Sequence, residues 1–182
     1  MATEWPGILA PGLRCVFVGF NPSPRSRAAG HRYAHPSNRF WTLLWQAGLT
    51  AVRHRPSEDV DLPAQGYGFT DVVPRTTAAA AELTPEELRA GGLRVRAEIT
   101  AYRPFCAAYT GKGVYRAVAG PPTDRCDYGA QAVSLVAGVL DFVLPSPSGR
   151  TGLPADERLR WYRALAAALP PPPRGPAGAH GA

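Results

Sequence analysis

Two polar residues that could do chemistry, Asn21 and Asp71, lie beside apolar runs that predict buried strands. Asn21 follows residues 14–19, whose apolar side chains on both faces are typical of a parallel strand. Asp71 lies within residues 67–73, a second short strand or extended segment. Ligands of α/β proteins bind beyond the carboxyl ends of such strands, so both residues are candidates for a site. The alternatives are structural: Asn21 could simply form a turn, and Asp71 could pair with Arg75 or cap the backbone.

The charge of the chain is positive and is carried by arginine. The formal net charge is +6 over 182 residues, and Lys112 is the only lysine. Arginine's planar fork fits phosphate and stacks on bases, which favours a nucleic-acid partner. A GC-rich coding sequence that replaces lysine by arginine would give the same composition. Both interpretations stay open on composition alone.

Several classes of protein are not indicated. Cys15, Cys106 and Cys126 are widely spaced, so the sequence predicts no zinc or iron–sulfur site and no other metal or cofactor. Cys15 and Cys106 lie in apolar runs and are expected to be buried thiols. The first residues do not resemble a signal peptide, and no apolar run reaches membrane-spanning length. We therefore expect a soluble, cytoplasmic protein.

The order of predicted elements indicates an α/β fold, a three-layer α/β/α sandwich with a central, mostly parallel sheet. Residues 1–169 are predicted to form a single domain, and the Pro/Gly/Ala-rich residues 170–182 a disordered tail. Two further strands are expected at 105–109 and 139–144. Helices are expected at about 38–47, capped by Ser37, at 85–91, at 93–102, after Gly111 and at 155–169. Residues 23–30 and 50–65 are predicted to be loops, and residues 120–131 irregular.

Three sequence motifs, taken together and in this order, resemble the mismatch-specific uracil-DNA and thymine-DNA glycosylase family. They are GFNP at 19–22, YAHPSNRFW at 33–41 and LPSPSGR at 144–150. Between them, FTDVVPRTT at 69–77 and ELRAGG at 87–92 are similar to the thymine-DNA glycosylase branch. The similarity spans about residues 13–169. The resemblance implies the uracil-DNA glycosylase-like fold.

The resemblance also implies a reaction. Such an enzyme flips a nucleotide out of the duplex, because a base inside the stack cannot be reached. It then hydrolyses the N-glycosidic bond of uracil, with thymine or damaged pyrimidines as further candidates, and leaves an abasic site. The implied partner is double-stranded DNA that contains uracil or mismatched bases, and the implied protein is a monomer, associated with the nucleoid when it acts. Hydrolysis needs only water and no cofactor.

Residue roles follow from the matched motifs. Asn21 is implied to orient the attacking water, and the backbone around Gly19 and Phe20 to bind the base carbonyl. Tyr33 matches the position of the aromatic residue that stacks on the flipped base, a contact of roughly 1–3 kcal/mol. Ser146 and Ser148 belong to the implied substrate site.

The third motif is implied to act on the DNA duplex. Ser148, Gly149 and Arg150 would enter the minor groove and fill the space that the base leaves. Arg150 could hydrogen-bond the orphaned partner base or contact a phosphate. The basic segment with Arg25 and Arg27 is predicted to lie near phosphates.

Asp71 departs from the family pattern, in which an amide or a lysine stands at the aligned place. A carboxylate is the stronger proton acceptor and stabilises a cationic sugar better, so we hypothesise that Asp71 activates water in place of Asn21 or together with it. Two other functions compete with excision: a non-catalytic nucleic-acid-binding module of the same fold, and a nucleoside or nucleotide hydrolase. A hydrolase of free nucleotides would not need Arg150, Arg25 or Arg27.

Overall fold

A five-stranded sheet forms the centre of the computed structural model, which describes residues 5–123, 125–149 and 152–173. The strand order is β2-β1-β3-β5-β4. The strands are β1 Cys15–Gly19, β2 Tyr67–Asp71, β3 Cys106–Tyr109, β4 Gly129–Ala130 and β5 Leu140–Val143. All neighbours pair in parallel except β4, which is antiparallel to β5. The predicted α/β class with a mostly parallel sheet is confirmed.

Helices cover both faces of this sheet and give it three layers. They are α1 Pro24–Ala29, α2 Phe40–Gln46, α3 Pro85–Tyr102, α4 Lys112–Ala119 and α5 Ala155–Ala168. Alternate residues of β1 belong to two separate cores: Phe17 packs with α2 and α5, and Val18 packs with α3 and α4. The strand is therefore apolar on both faces, as its sequence predicts. No helix of the described residues is long and apolar enough to cross a membrane.

The segment after Asn21 is a helix and not the predicted loop. Ser23 caps α1, since its Oγ accepts a hydrogen bond from the backbone N–H of Ser26 at 3.1 Å. Pro24 occupies the first turn, where its missing N–H costs nothing. Gly30 ends the helix in the left-handed conformation. Pro24 here starts a helix within residues 23–30, which were predicted to form a loop.

The two helices predicted on either side of Gly91 and Gly92 are one continuous helix, α3. Its predicted start is confirmed: Thr84 and Glu87 form a reciprocal capping box. The two glycines do not break the helix because both are buried at close contacts. A side chain at Gly91 would collide with the carbonyl of Val72, and one at Gly92 with that of Ala117. Glycine at these positions lets α3 pack tightly on its neighbours.

Smaller differences concern helix α2 and the connections. Helix α2 begins at Phe40, and the Asn38 side chain accepts a hydrogen bond from the Phe40 N–H at 2.9 Å, whereas Ser37 was the predicted cap. Trp45, near the end of α2, is 46% exposed. The predicted loop at 50–65 contains a run of 3₁₀ turns, Pro56–Gln65, and the segment predicted to be irregular contains β4.

Cys15 and Cys106 are fully buried, as predicted. The predicted disordered tail lies outside the described residues after position 173. Just before it, the Pro170 carbonyl accepts a hydrogen bond from Arg14 Nε at 2.7 Å.

Candidate active site

One cavity lies where strands β1 and β2 end. Gly19 and Asp71 are register partners at the last position of the two strands, so both predicted motifs reach the same edge of the sheet. The cavity has a volume of about 480 Å³. Its lining includes seven of the predicted site residues: Gly19, Phe20, Asn21, Tyr33, Asp71, Ser146 and Ser148. Distant segments of sequence therefore meet at one concave surface.

Hydrogen bonds fix the orientation of the Asn21 amide. Its Nδ2 donates to the Arg75 carbonyl at 3.0 Å and to Thr77 Oγ1 at 2.7 Å. The Thr77 hydroxyl donates its only proton to the Ala79 carbonyl, at 2.8 Å, and so must accept the hydrogen bond from Asn21. Both partners require a donor, which identifies the nitrogen. Oδ1 has no hydrogen-bond donor among the described residues, so it is available to accept one from water in the cavity.

Backbone donors stand at the same turn. The carbonyls of Gly19 and Phe20 accept hydrogen bonds from Val72 and Val73, each at 2.8 Å, which holds the turn against the end of β2. The backbone N–H groups of Phe20 and Asn21 have no acceptor within the described part of the chain. Two fixed donors of this kind suit a carbonyl oxygen that gains negative charge.

Tyr33 is held in a strained backbone conformation at the cavity wall. Its φ is 54°, in the left-handed region that residues other than glycine rarely adopt. Its ring stacks on Phe40, with 3.9 Å between the ring centroids and 17° between the planes. Burial, followed by the nearby Asp71 carboxylate, raises the pKa of Tyr33, so its hydroxyl stays protonated. Strain of this type recurs at ligand sites, where surrounding contacts compensate for it.

Asp71 is largely buried, with 12% of its side chain exposed. Its Oδ2 accepts a hydrogen bond from Trp5 Nε1 at 2.9 Å and lies 4.0 Å from Arg32 Nη2. Oδ1 lies beside Gly19 and has no hydrogen-bond donor among the described residues. Burial raises the pKa of Asp71 above its ordinary value, while Arg32 and then the Trp5 hydrogen bond oppose the rise.

The structural alternative proposed for Asp71, an ion pair with Arg75, is wrong. Arg75 Nε instead donates to Glu87 Oε1 at 2.6 Å, and this pairing lowers the pKa of Glu87 to about 2. Among the described residues, the Asp71 side chain also caps no backbone N–H group: its partners are Trp5 and Arg32. The carboxylate thus faces the cavity and the N-terminal segment.

The loop that carries the third motif packs against the segment around Ser37, just before α2. The Arg39 N–H donates to the Pro147 carbonyl at 2.9 Å. A Cβ on Gly149 would come within 2.9 Å of Ser37, so only glycine allows this approach. Ser146 and Ser148 line the main cavity, and Gly149 lines a groove beside it. Arg150 lies outside the described residues, so its predicted wedge role stays a prediction.

The two predicted basic residues lie in different places. Arg25 lines the groove of about 360 Å³ that also contains Ser148 and Gly149, next to the main cavity. Arg27 instead lines a separate cavity and lies 5.6 Å from the centroid of the Trp5 ring. Of the two, only Arg25 shares a groove with the described part of the third motif.

Comparison with known proteins identifies the family. A family model described as the uracil DNA glycosylase superfamily matches residues 6–169. The chain belongs to this superfamily. A solution structure from Methanosarcina acetivorans, described as a "putative Uracil DNA glycosylase", matches with a TM-score of 0.60 and 20% identity, over 90% of this chain and 97% of that one. At this identity the likeness supports the fold, in agreement with the three-layer arrangement.

Membership of the uracil DNA glycosylase superfamily implies a DNA substrate and, in general terms, DNA glycosylase activity, which is a hydrolytic step of DNA repair. Residues of the family motifs that were quoted without a role also reach the site: Asn38 and Pro147 line the main cavity. The described residues contain no group of three or more His, Cys, Asp or Glu side chains placed to hold a metal ion.

Sequence reasoning missed three further residues that line this candidate site: Trp5, Arg32 and Thr110. Trp5 lies before the first strand, where a single tryptophan gives no periodic signal. Arg32 lies next to Tyr33 in the second motif region, and its burial could not be predicted for a charged residue. Thr110 directly follows β3, so the rule that sites lie beyond strand ends could have found it.

Proposed function

We propose that the chain removes uracil from mismatched double-stranded DNA, as a monofunctional glycosylase of the mismatch-specific type that leaves an abasic site. The observation that supports this most is the convergence of Asn21, Tyr33, Asp71 and Ser148 on one cavity of about 480 Å³. Asn21, Tyr33 and Ser148 come from the three motifs, and Asp71 comes from the segment at 69–77 between them. A flipped nucleotide would place its base, its sugar and the attacking water among them.

The base would be bound at the Tyr33 end of the cavity. One face of the Tyr33 ring is covered by Phe40, so the other face is the one that could stack on a base. The N–H groups of Phe20 and Asn21 would donate to a base carbonyl. As the glycosidic bond lengthens, negative charge grows on that carbonyl, so these donors stabilise the transition state more than the ground state.

The attacking water would be held by Asn21 and Asp71. Asn21 Oδ1 accepts one proton of the water in a hydrogen bond, and Asp71 Oδ1 accepts the proton that the water loses. The water oxygen forms a bond to the anomeric carbon of the sugar. The N-glycosidic bond breaks, and its electron pair leaves with the base. A carboxylate that also stabilises the cationic sugar would make the reaction depend less on a good leaving group, which extends the proposal to thymine and damaged pyrimidines.

The DNA around the flipped nucleotide would lie along the groove with Arg25, Ser148 and Gly149. Arg25 would contact a phosphate, and the loop after Pro147 would enter the minor groove and fill the vacated space. The proposals that Arg150 takes part in this wedge and that Arg27 contacts DNA rest on the sequence. Monomeric state and cytoplasmic location are likewise proposals.

Excision on defined duplexes tests this function. The purified chain is incubated with duplexes that hold uracil or thymine opposite guanine, or uracil opposite adenine, and abasic sites are then cleaved with alkali. We expect cleavage of the uracil–guanine duplex, and a much slower single-turnover rate for Asn21→Ala and for Asp71→Asn. Binding of the same duplex without cleavage would refute the proposal and favour a non-catalytic module. Release of uracil from free uridine or its nucleotides alone would favour the nucleoside hydrolase.

A further inference from the structure

The segment before the first strand is attached to the candidate site at several points. Ile8 forms an antiparallel bridge with Phe69 on the edge strand β2, through two backbone hydrogen bonds of 2.8 Å. Arg32 Nη2 donates to the Pro6 carbonyl at 2.6 Å. These contacts bring Trp5 to the wall of the main cavity, beside Asp71. The segment therefore supplies part of the site and is more than a lead-in.

The Trp5 ring is arranged to donate a hydrogen bond and not to stack on a base. The guanidinium carbons of Arg32 and Arg27 lie over its ring, 5.0 and 5.6 Å from the centroid, which favours cation–π attraction. The N–H at the ring edge donates to Asp71 Oδ2 at 2.9 Å. An indole has only this one hydrogen-bond donor, and in Trp5 it is already bound to Asp71.

The Trp5 hydrogen bond makes the two oxygens of Asp71 unequal. Oδ2 is bound to Trp5 and lies 4.0 Å from Arg32 Nη2. Oδ1 lies beside Gly19 and has no donor among the described residues. We propose that Trp5 is a positioning residue, which fixes Oδ2 of Asp71 so that Oδ1 is presented to the water or substrate in the cavity. The inference rests on the proposed role of Asp71 and adds the residue that orients it.

Removal of the Trp5 donor changes both the orientation and the charge of Asp71. The charged and titratable groups around Asp71 are Arg32, Arg94, Glu98 and Tyr33. Loss of the Trp5 hydrogen bond leaves the arginines in place but removes a contact that favours the ionised carboxylate. The Asp71 carboxyl should then titrate at higher pH, by about one unit, which is the size expected when one hydrogen bond to a charged group is lost.

Trp5→Phe is the decisive variant because it keeps the ring and the cation–π contacts but lacks the N–H. Trp45→Phe is the matched control, since Trp45 is exposed on α2 and lines none of the cavities described above. The ¹³C signal of the Asp71 carboxyl is followed by NMR against pH in the full chain, and single-turnover excision of uracil opposite guanine is measured over the same range.

We expect Trp5→Phe to raise the Asp71 titration midpoint by about one unit, to shift the acid limb of the rate profile by the same amount, and to lower the plateau rate about tenfold. Trp45→Phe should change none of these, and Trp5→Phe should have no further effect in an Asp71→Asn background. An unchanged Asp71 midpoint in Trp5→Phe would overturn the inference, whether or not the chain excises uracil. A shifted midpoint in a chain that does not excise would instead refute the proposed function and support the contact.

Discussion

Substitution of Gly19 by alanine tests the geometry of the site most directly. Gly19 faces Asp71 across the last register position of the sheet, and an added Cβ would lie closer than 3.0 Å to Asp71 Oδ1. The same Cβ would lie 3.6 Å from the Tyr33 hydroxyl, an ordinary contact. The collision therefore concerns the carboxylate oxygen that we propose as the proton acceptor.

The size of the expected effect follows from the displacement. Ordinary contact begins near 3.4 Å, so Oδ1 must move by about 1 Å to reach it. Trp5 holds Oδ2, which limits where the carboxylate can go. Since misplacement of a catalytic group by about 1 Å can cost about 100-fold in rate, we expect a loss of about 10- to 100-fold in Gly19→Ala. Stability should change little, because the displaced group is a single side chain at the wall of a cavity.

A double-mutant cycle separates this mechanism from simple blockage of the cavity. Single-turnover excision of uracil opposite guanine is measured for Gly19→Ala, Asp71→Ala and the double variant, with thermal unfolding as a check on folding. Asp71→Ala removes the atom that the new Cβ would strike, so alanine at Gly19 should then cost almost nothing. Full activity of Gly19→Ala, or the same loss with and without the Asp71 side chain, would refute the reasoning.

Three further predictions concern stability and DNA binding. Burial raises the pKa of Asp71, so the stability linked to its protonation is present below the ordinary value of 3.8 and is lost as pH rises through the folded value. In chemical unfolding at neutral pH, Asp71→Asn should therefore be as stable as the unmodified chain or more stable, and the difference should vanish near pH 3.8. Lower stability of Asp71→Asn at neutral pH would contradict this. Tyr109→Phe removes the hydroxyl that donates to Asp141 Oδ1 at 2.8 Å, and should lower the free energy of unfolding by about 1–3 kcal/mol while excision stays unchanged; an unaltered melting temperature would count against it. Arg25→Ala should weaken binding to every DNA sequence and reduce the slope of log affinity against log salt by about one, whereas Arg89→Ala, which removes an exposed arginine that lines no described cavity, should not; equal effects of the two would exclude a phosphate contact by Arg25.

Much of the fold could be predicted because hydrophobic patterns reflect burial directly. Residues 14–19 are apolar on both faces, and the strand they form is covered on both faces. Local sequence signals gave wrong predictions of helix bounds where one residue type can serve two structural purposes. Pro24 starts a helix, although proline more often ends one, and the Gly91–Gly92 pair is a close packing surface inside α3. Only the neighbouring helices and strands decide between these roles, and a single sequence does not show them.

Site residues could be predicted where they follow the end of a strand or belong to a family motif. Asn21, Tyr33 and Asp71 line one cavity, as the convergence of the motifs led us to expect, while their chemical roles stay predictions. Trp5 and Arg32 could not be found in this way. Their positions depend on the N-terminal segment, which pairs with the edge strand β2. This is a tertiary contact that no local sequence pattern predicts.

The two carboxylates whose pKa values burial raises, Asp71 and Asp141, show why the surroundings of a charge indicate its purpose. Both oxygens of Asp141 have donors: Tyr109 at 2.8 Å and the Leu135 N–H at 2.5 Å. This carboxylate is fully bonded inside the protein and lines no described cavity, so its role is structural. Among the described residues, Asp71 has a donor on Oδ2 only, and Oδ1 lies beside Gly19 at the cavity. A carboxylate that is desolvated but left with one free oxygen is costly for stability and well suited to accept a proton, which is the combination expected of a catalytic base.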